Sequence, residues 1–312
     1  MTGDLVAPLD AALTSAAGYA LAEKSDNTRR AYRSDLAQFV AWCGRVNAMA
    51  LPATAATVAA YLASLADSGL KASTISRRAA AIGYAHKLAG ATSPLGDESV
   101  KVVLRGIRRR IGVAAKAKSP ATAEIVARMM RKLPATLAGK RDKALIGIGF
   151  AAALRRSELV GLDVSDIERT PEGALLHLAR SKTDQEGRGA EIAILPGGKL
   201  RVLEALDDWL TSAAIVEGAA FREIDRFGRV LPGRLSDHAA AIVIKRAAKA
   251  AKLDAALFSG HSLRAGFVTS ALARGADLFK IMDVTRHREV KTLRVYDRRA
   301  KAFKDHAGKG FL

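Results

Sequence analysis

Toward the carboxyl end of this 312-residue chain stand His261-Ser262-Leu263-Arg264, then His287, then Tyr296. Imidazoles and a guanidinium gathered ahead of a tyrosine point to attack by a phenolic oxygen on a phosphodiester. A phenol is a weak nucleophile until a neighbour takes its proton, and phosphoryl chemistry needs fixed positive charge for the transition-state oxygens. Arginine suits that second task, because its planar fork matches two phosphate oxygens and keeps its charge. Cationic neighbours are also expected to draw the tyrosine down from its ordinary pKa of about 10. Without a metal the reaction further needs an acid for the leaving oxygen, a task suited to a lysine among other cations.

The whole chain is built to meet a polyanion. Lys and Arg number 50 against 31 Asp and Glu, a formal net charge of +19. The excess is 8 through residue 120 and 11 beyond it, so both halves can touch phosphate, unlike a neutral enzyme with a basic tail. Apolar residues make up 49% and aromatics only 5%, so a core must be packed largely from Ala, Leu, Ile and Val on helices. Cys43 is the only cysteine, which excludes an intrachain disulfide and argues against a thiolate metal site. It falls on an apolar stripe and reads as core, as do Trp42 and Trp209. His86, His177, His238 and His306 show no ligand spacing, so neither metal nor cofactor is expected. With no signal-peptide pattern and no apolar run of spanning length, the expectation is a soluble, cytoplasmic protein.

The elements that position these residues follow from periodicity. Tyr32, Leu36, Phe39, Val40 and Cys43 recur at helical spacing, with Arg29, Arg30 and Arg33 off that stripe. Further helices are predicted over 54–67, from about 73 onward, and over 97–111, where Val100, Val103, Leu104, Ile107 and Ile111 form the apolar face. Their polar faces are repeatedly basic. Residues 114–120 read as a linker ending at Pro120. Beyond it, helices are predicted near 121–133 and 138–153, a short strand over 162–167, and strands over 174–179 and 191–195 around the polar turn 184–189. Helices near 199–214, 236–251, 262–274 and 277–284 follow, with a last one around Tyr296.

At these positions the chain resembles the tyrosine recombinases, also called phage integrases. Ala153-Leu154-Arg155-Arg156-Ser157-Glu158-Leu159, followed by Leu162 and Asp166, is similar to the family's first arginine box. Phe258-Ser-Gly-His261-Ser-Leu-Arg264 is similar to its His-x-x-Arg box, and His287 precedes Tyr296 by the family's nine residues. Arg180-Ser-Lys182-Thr matches the family's hairpin lysine. Asn27 to Tyr32, Gly69 to Ile75, and Leu104 to Arg108 resemble the core-binding domain of Cre-type members. Each box alone is weak; the ordered set of six positions is strong.

The resemblance implies a mainly α fold with a small antiparallel sheet, in two domains that clamp duplex DNA. After an N-terminal extension (1–24) come an all-α, SAM-like core-binding domain (25–113), a linker (114–120) and an α/β catalytic domain with a C-terminal tail (121–312). It implies Tyr296 as nucleophile, Arg155 and Arg264 on the non-bridging oxygens with His287 assisting, Lys182 as acid, His261 managing the tyrosine proton, and Glu158 in support. Arg30, Thr74, Arg77, Arg105 and Arg108, with Lys116 and Lys118 in the linker, would face DNA. Four protomers on two sites, coupled by the tail, are the implied assembly, in a bacterial, phage or plasmid-encoded protein at the nucleoid. Two departures stand out. Thr285-Arg286-His287 replaces the common Leu-Gly-His, and Ala265-Gly266 follows the second arginine where Arg-His is common. Both lie nearer to Cre-type proteins than to the Xer housekeeping type. Two rivals keep the fold: a DNA-binding regulator that does not cut, and a type IB topoisomerase or telomere resolvase.

Overall fold

The computed structural model describes residues 23–113, 118–178, 189–287, 289–290, 292–293 and 296. The chain divides between residues 116 and 117 into two compact units. Among its described residues the first is helical: α1 (Asp26–Arg45), α2 (Ala55–Asp67), α3 (Ala72–Leu88) and α4 (Glu98–Ile111). Side-chain oxygens start three of them: Ser25, Thr54 and Asp97 accept from the backbone N–H groups of Thr28, Thr57 and Ser99. Phe39, Cys43, Val58, Tyr61, Leu62, Ile75, Ile82 and Val100 fill the core between them.

The apolar stripes are narrower than periodicity suggests. Val40 is 50% exposed and Ile111 40%, because Phe39 and Cys43 on α1, and Val100 and Ile107 on α4, already occupy the core face. Trp42 is only partly buried against that core, whereas Trp209 is fully buried and donates Nε1–H to the Ala220 carbonyl at 2.8 Å. His86 is also fully buried. Its Nδ1 meets the Ile82 carbonyl and its Nε2 accepts from the Ala53 N–H, each at 2.8 Å, so this histidine is a satisfied core group.

The second unit is built on α6 (Leu137–Ala151), which is buried nearly all round from Ala144 to Phe150. Around it pack α5 (Ala123–Arg131), α7 (Arg156–Gly161), α8 (Val202–Ser212), α9 (Asp237–Ala250), α10 (Gly260–Ala273) and α11 (Leu278–Thr285). A three-stranded antiparallel sheet joins β1 (Ile167–Thr170), β2 (Gly173–Leu178) and β3 (Ala190–Ile194) in that order. Ala174, Leu176 and Leu178 face the core from β2, as do Ile192 and Ile194 from β3. The strand expected over 162–167 is corrected: Val164–Asp166 is a 3-10 turn and the strand begins at Ile167. Asp166 accepts the Asp163 N–H at 2.8 Å, which holds the turn. Sequence reasoning also missed α7 and the hairpin β4 (Arg222–Ile224) and β5 (Val230–Arg234).

Gly266 has a packing reason. The entering chain crosses α10 there, with the Ala121 N–H on the Ser262 carbonyl at 2.8 Å. A Cβ on Gly266 would fall 1.7 Å from the Ala121 carbonyl oxygen. Among the described residues no helix is long and apolar enough to cross a membrane, and no three metal-binding side chains converge.

Candidate active site

Arg155 is the residue that starts α7, and Glu158, three positions on, turns back to accept its backbone N–H at Oε2 (2.8 Å). The other oxygen, Oε1, accepts from Arg155 Nη1 at 2.6 Å. One carboxylate therefore fixes both the main chain and the guanidinium of Arg155. The arginine stays 21% exposed, and its other side-chain N–H groups have no hydrogen bond among the described residues.

Arg264 is placed differently. It projects from α10 into the unit, 2% exposed, and ties two separate turns together. Nη1 donates to the Ala153 carbonyl at 2.8 Å, at the left-handed turn that ends α6 (φ 47°), and Nη2 donates to the Thr285 carbonyl at the end of α11. Burial, then repulsion from Arg155 and Arg286, lowers its pKa to about 10, so it remains a cation at neutral pH.

Tyr296 lies within the field of Arg264. Leu293, one helical turn earlier and fully buried, packs with Val268, Leu272 and Ile281, and Tyr296 rests against the same cluster. Its hydroxyl is 3.1 Å from His261 Nε2. Burial, then the charges of Arg264 and Arg155, holds His261 below its ordinary 6.5, although the residue keeps an exposed edge. At neutral pH it is an unprotonated acceptor for the phenol. The expected fall in the tyrosine pKa is corrected. Burial of the phenol raises it, and the opposing charge of Arg264 is the smaller effect. Tyr296 is thus a protonated phenol whose hydroxyl lies within hydrogen-bond reach of an unprotonated imidazole.

His287 is neutral as well. Burial first, and then Arg264, Arg155, His261 and Arg286, lowers its pKa to about 4. Thr285 Oγ1 donates to the Ile281 carbonyl at 2.7 Å, so it accepts Nδ1–H from His287 at 2.7 Å. The Nε2 lone pair is left over, and this ring can donate to phosphate only after gaining a proton, which an anion favours. Both imidazoles hold protons less well folded than unfolded. Native stability therefore rises with pH through the window from about 4 to 6.5, is complete above 6.5, and is lost as pH falls toward 4. Thermal melts between pH 7 and pH 4.5 check this: His287→Asn is expected to flatten the dependence, and an unchanged slope would contradict it.

The structure thus brings Arg155, Glu158, His261, Arg264, His287 and Tyr296 together. Lys182 and Lys116 lie outside the described residues, as does the tail beyond 296. Lys118 bonds the Ala256 carbonyl at 2.5 Å. In the first unit Arg30 is exposed and pairs with Asn27, Thr74 is half-buried, and Arg77 pairs with the buried Asp35. Arg105 pairs with Glu98 at 2.5 Å, and Arg108 reaches Ser76 Oγ at 3.2 Å. Sequence reasoning missed Thr285, which orients His287 and Arg264, and Arg286, whose Nη2 donates to Glu158 Oε2 at 2.7 Å. The only signal was an arginine where glycine is common.

Comparison with known proteins shows the family. Residues 121–302 match the phage integrase family, and residues 18–90 match its N-terminal SAM-like domain. An integrase/recombinase xerD homolog of Selenomonas ruminantium is 40% identical over 91% of this chain and 85% of its own. Recombinase cre of Escherichia phage P1 is 26% identical over 83% of this chain and 80% of its own. In fold, the chain is similar to a lambda integrase dimer bound to a COC′ core site, with a TM-score of 0.59, 18% identity, and coverage of 95% of this chain and 82% of that one. The chain belongs to the phage integrase family, the tyrosine recombinases.

Proposed function

We propose that Tyr296 cleaves DNA by forming a 3′-phosphotyrosine. The chain is a site-specific DNA recombinase, and this is its chemical step. The phenolic oxygen bonds to phosphorus as the bond to the 5′-oxygen breaks. His261 takes the phenol proton, and Lys182 supplies one to the leaving 5′-hydroxyl. Arg155 and Arg264 carry the charge of the non-bridging oxygens, with His287 joining once protonated. The ester conserves bond energy, so a 5′-hydroxyl from a partner strand reverses the step without ATP or metal. The observation that most supports this is the 3.1 Å contact between the Tyr296 hydroxyl and Nε2 of His261, a ring that feels the charges of both Arg264 and Arg155.

We assign DNA contact to Arg30, Thr74, Arg77, Arg105, Arg108, Lys116 and Lys118. Residues 25–113 are the core-binding domain, 114–120 the linker and 121–312 the catalytic domain. Duplex DNA is the partner, which puts the protein at the nucleoid, and binding should weaken steeply with salt. The working form is a homotetramer on two sites, coupled by the tail. Truncation after Ala300 is expected to abolish assembly on paired sites, and a shortened chain that still assembles tetramers would contradict the coupling. The functional test is strand exchange between two DNA fragments carrying the mapped cleavage site, with EDTA present. Exchanged products support recombination. Binding without cleavage would favour a regulator, and relaxation of supercoiled plasmid lacking the site would favour a topoisomerase.

A further inference from the structure

We propose that Arg286 is a positioning residue whose guanidinium neutralises Glu158, leaving the charge of Arg155 available to the scissile phosphate. The inference rests on the phosphotyrosine reading and concerns how that site keeps its charge.

A carboxylate held against a phosphate-binding arginine is a competitor for the phosphate. Glu158 is 3% exposed and its Oε1 lies 2.6 Å from Arg155 Nη1. At that distance and burial the attraction is strong and poorly screened. Arg155 and Glu158 taken alone sum to zero charge. Arg286 Nη2, on Oε2 at 2.7 Å, makes the trio a net cation again. Glu158 can then orient Arg155 without cancelling it.

Two unfavourable features at Arg286 need an explanation of this kind. Its backbone sits in the left-handed region (φ 55°, ψ 42°), which disfavours residues other than glycine. Its side chain is 11% exposed, and Nε and Nη1 are buried without a hydrogen-bond partner among the described residues. Burial and the nearby Arg155 lower its pKa, while Glu158 opposes the fall. A turn that merely ended α11 would be better served by glycine, with no buried charge to desolvate. The position also links both halves of the site. Its predecessor Thr285 offers its carbonyl to Arg264, and its successor is His287.

The test uses the full chain and a nicked suicide substrate carrying the mapped site. Single-turnover cleavage at saturating protein is compared with binding for Arg286→Lys, Arg286→Gln and Arg286→Gly. The lysine variant, which keeps the charge, is expected within about 3-fold of wild type. Glutamine and glycine are expected to cleave about 10- to 100-fold more slowly with Kd for the site unchanged, less than the loss of a group on the phosphate itself. Adding Glu158→Gln to the glycine variant removes the uncompensated carboxylate and is expected to recover about 5-fold or more, a gain that a purely structural role would not give. Wild-type rates in the glutamine variant, or no recovery in the double variant, would overturn the inference. If wild type itself forms no covalent complex, the phosphotyrosine reading fails instead.

Discussion

Tyr296→Phe is expected to abolish the covalent protein–DNA complex while leaving site binding intact. The substitution removes one oxygen from a side chain whose ring packs beside Val268, Leu272, Ile281 and Leu293, and the ring itself is retained. Fold and DNA affinity should therefore change little. The reaction loses its nucleophile, and neighbouring groups cannot substitute. His261 is held neutral as an acceptor, and the Thr285 hydroxyl is fully buried and bonded to Ile281 and His287. A loss of about 10⁴-fold or more matches the scale for deleting a nucleophile that works as a unit with its base. A denaturing gel of protein on a nicked suicide substrate reads the result, with a shifted band for wild type only.

The second large effect separates the two arginines. Arg155→Ala and Arg264→Ala should each slow cleavage by about 10³-fold or more, since each removes a preorganised donor for transition-state charge. Their effects on the fold should differ. Arg155 is partly exposed, and its loss leaves Glu158 still paired with Arg286. Arg264 is buried and bridges the Ala153 and Thr285 carbonyls, so removing it strands two buried acceptors and opens a void. Each such charged bond is worth about 1.5–3 kcal/mol, so Arg264→Ala should destabilise by about 3 kcal/mol or more, against under about 1 kcal/mol for Arg155→Ala. Urea unfolding beside single-turnover cleavage checks both halves. Equal destabilisation by the two would contradict the bridging role.

The grouping of these residues was legible because the phosphoryl chemistry the sequence suggests demands particular residue types in order, and residue types are what a sequence displays. Arg155, His261, Arg264, His287 and Tyr296 do converge. Their electrostatics were not legible. Counting cations near Tyr296 predicted a lowered pKa, but desolvation exceeds the attraction of Arg264, and burial cannot be read from charge. Arg286 was visible only as a departure from glycine, since its tie to Glu158 spans 128 positions.

In the fold, long amphipathic helices were read within a few residues, because a 3.6-residue period over three or four turns is a strong signal. The β4–β5 hairpin was missed because its strands carry Arg222, Glu223 and Arg234 and show no alternation. Its turn chemistry was present: Asp225 Oδ1 accepts the Phe227 and Arg229 N–H groups, and Gly228 takes φ 84°. Helix α7, six residues long, is too short for any period, and Glu158 at its third position was its only signature.

The central claim is a covalent bond between Tyr296 and the 3′ end of a cut strand. It is tested most directly by trapping wild-type protein on a nicked suicide substrate, digesting with protease and nuclease, and sequencing the nucleotide-bearing peptide by mass spectrometry. A nucleotide joined through its 3′-phosphate to Tyr296 is the predicted result. A 5′ linkage, attachment at another residue, or cleaved DNA bearing no peptide would contradict it.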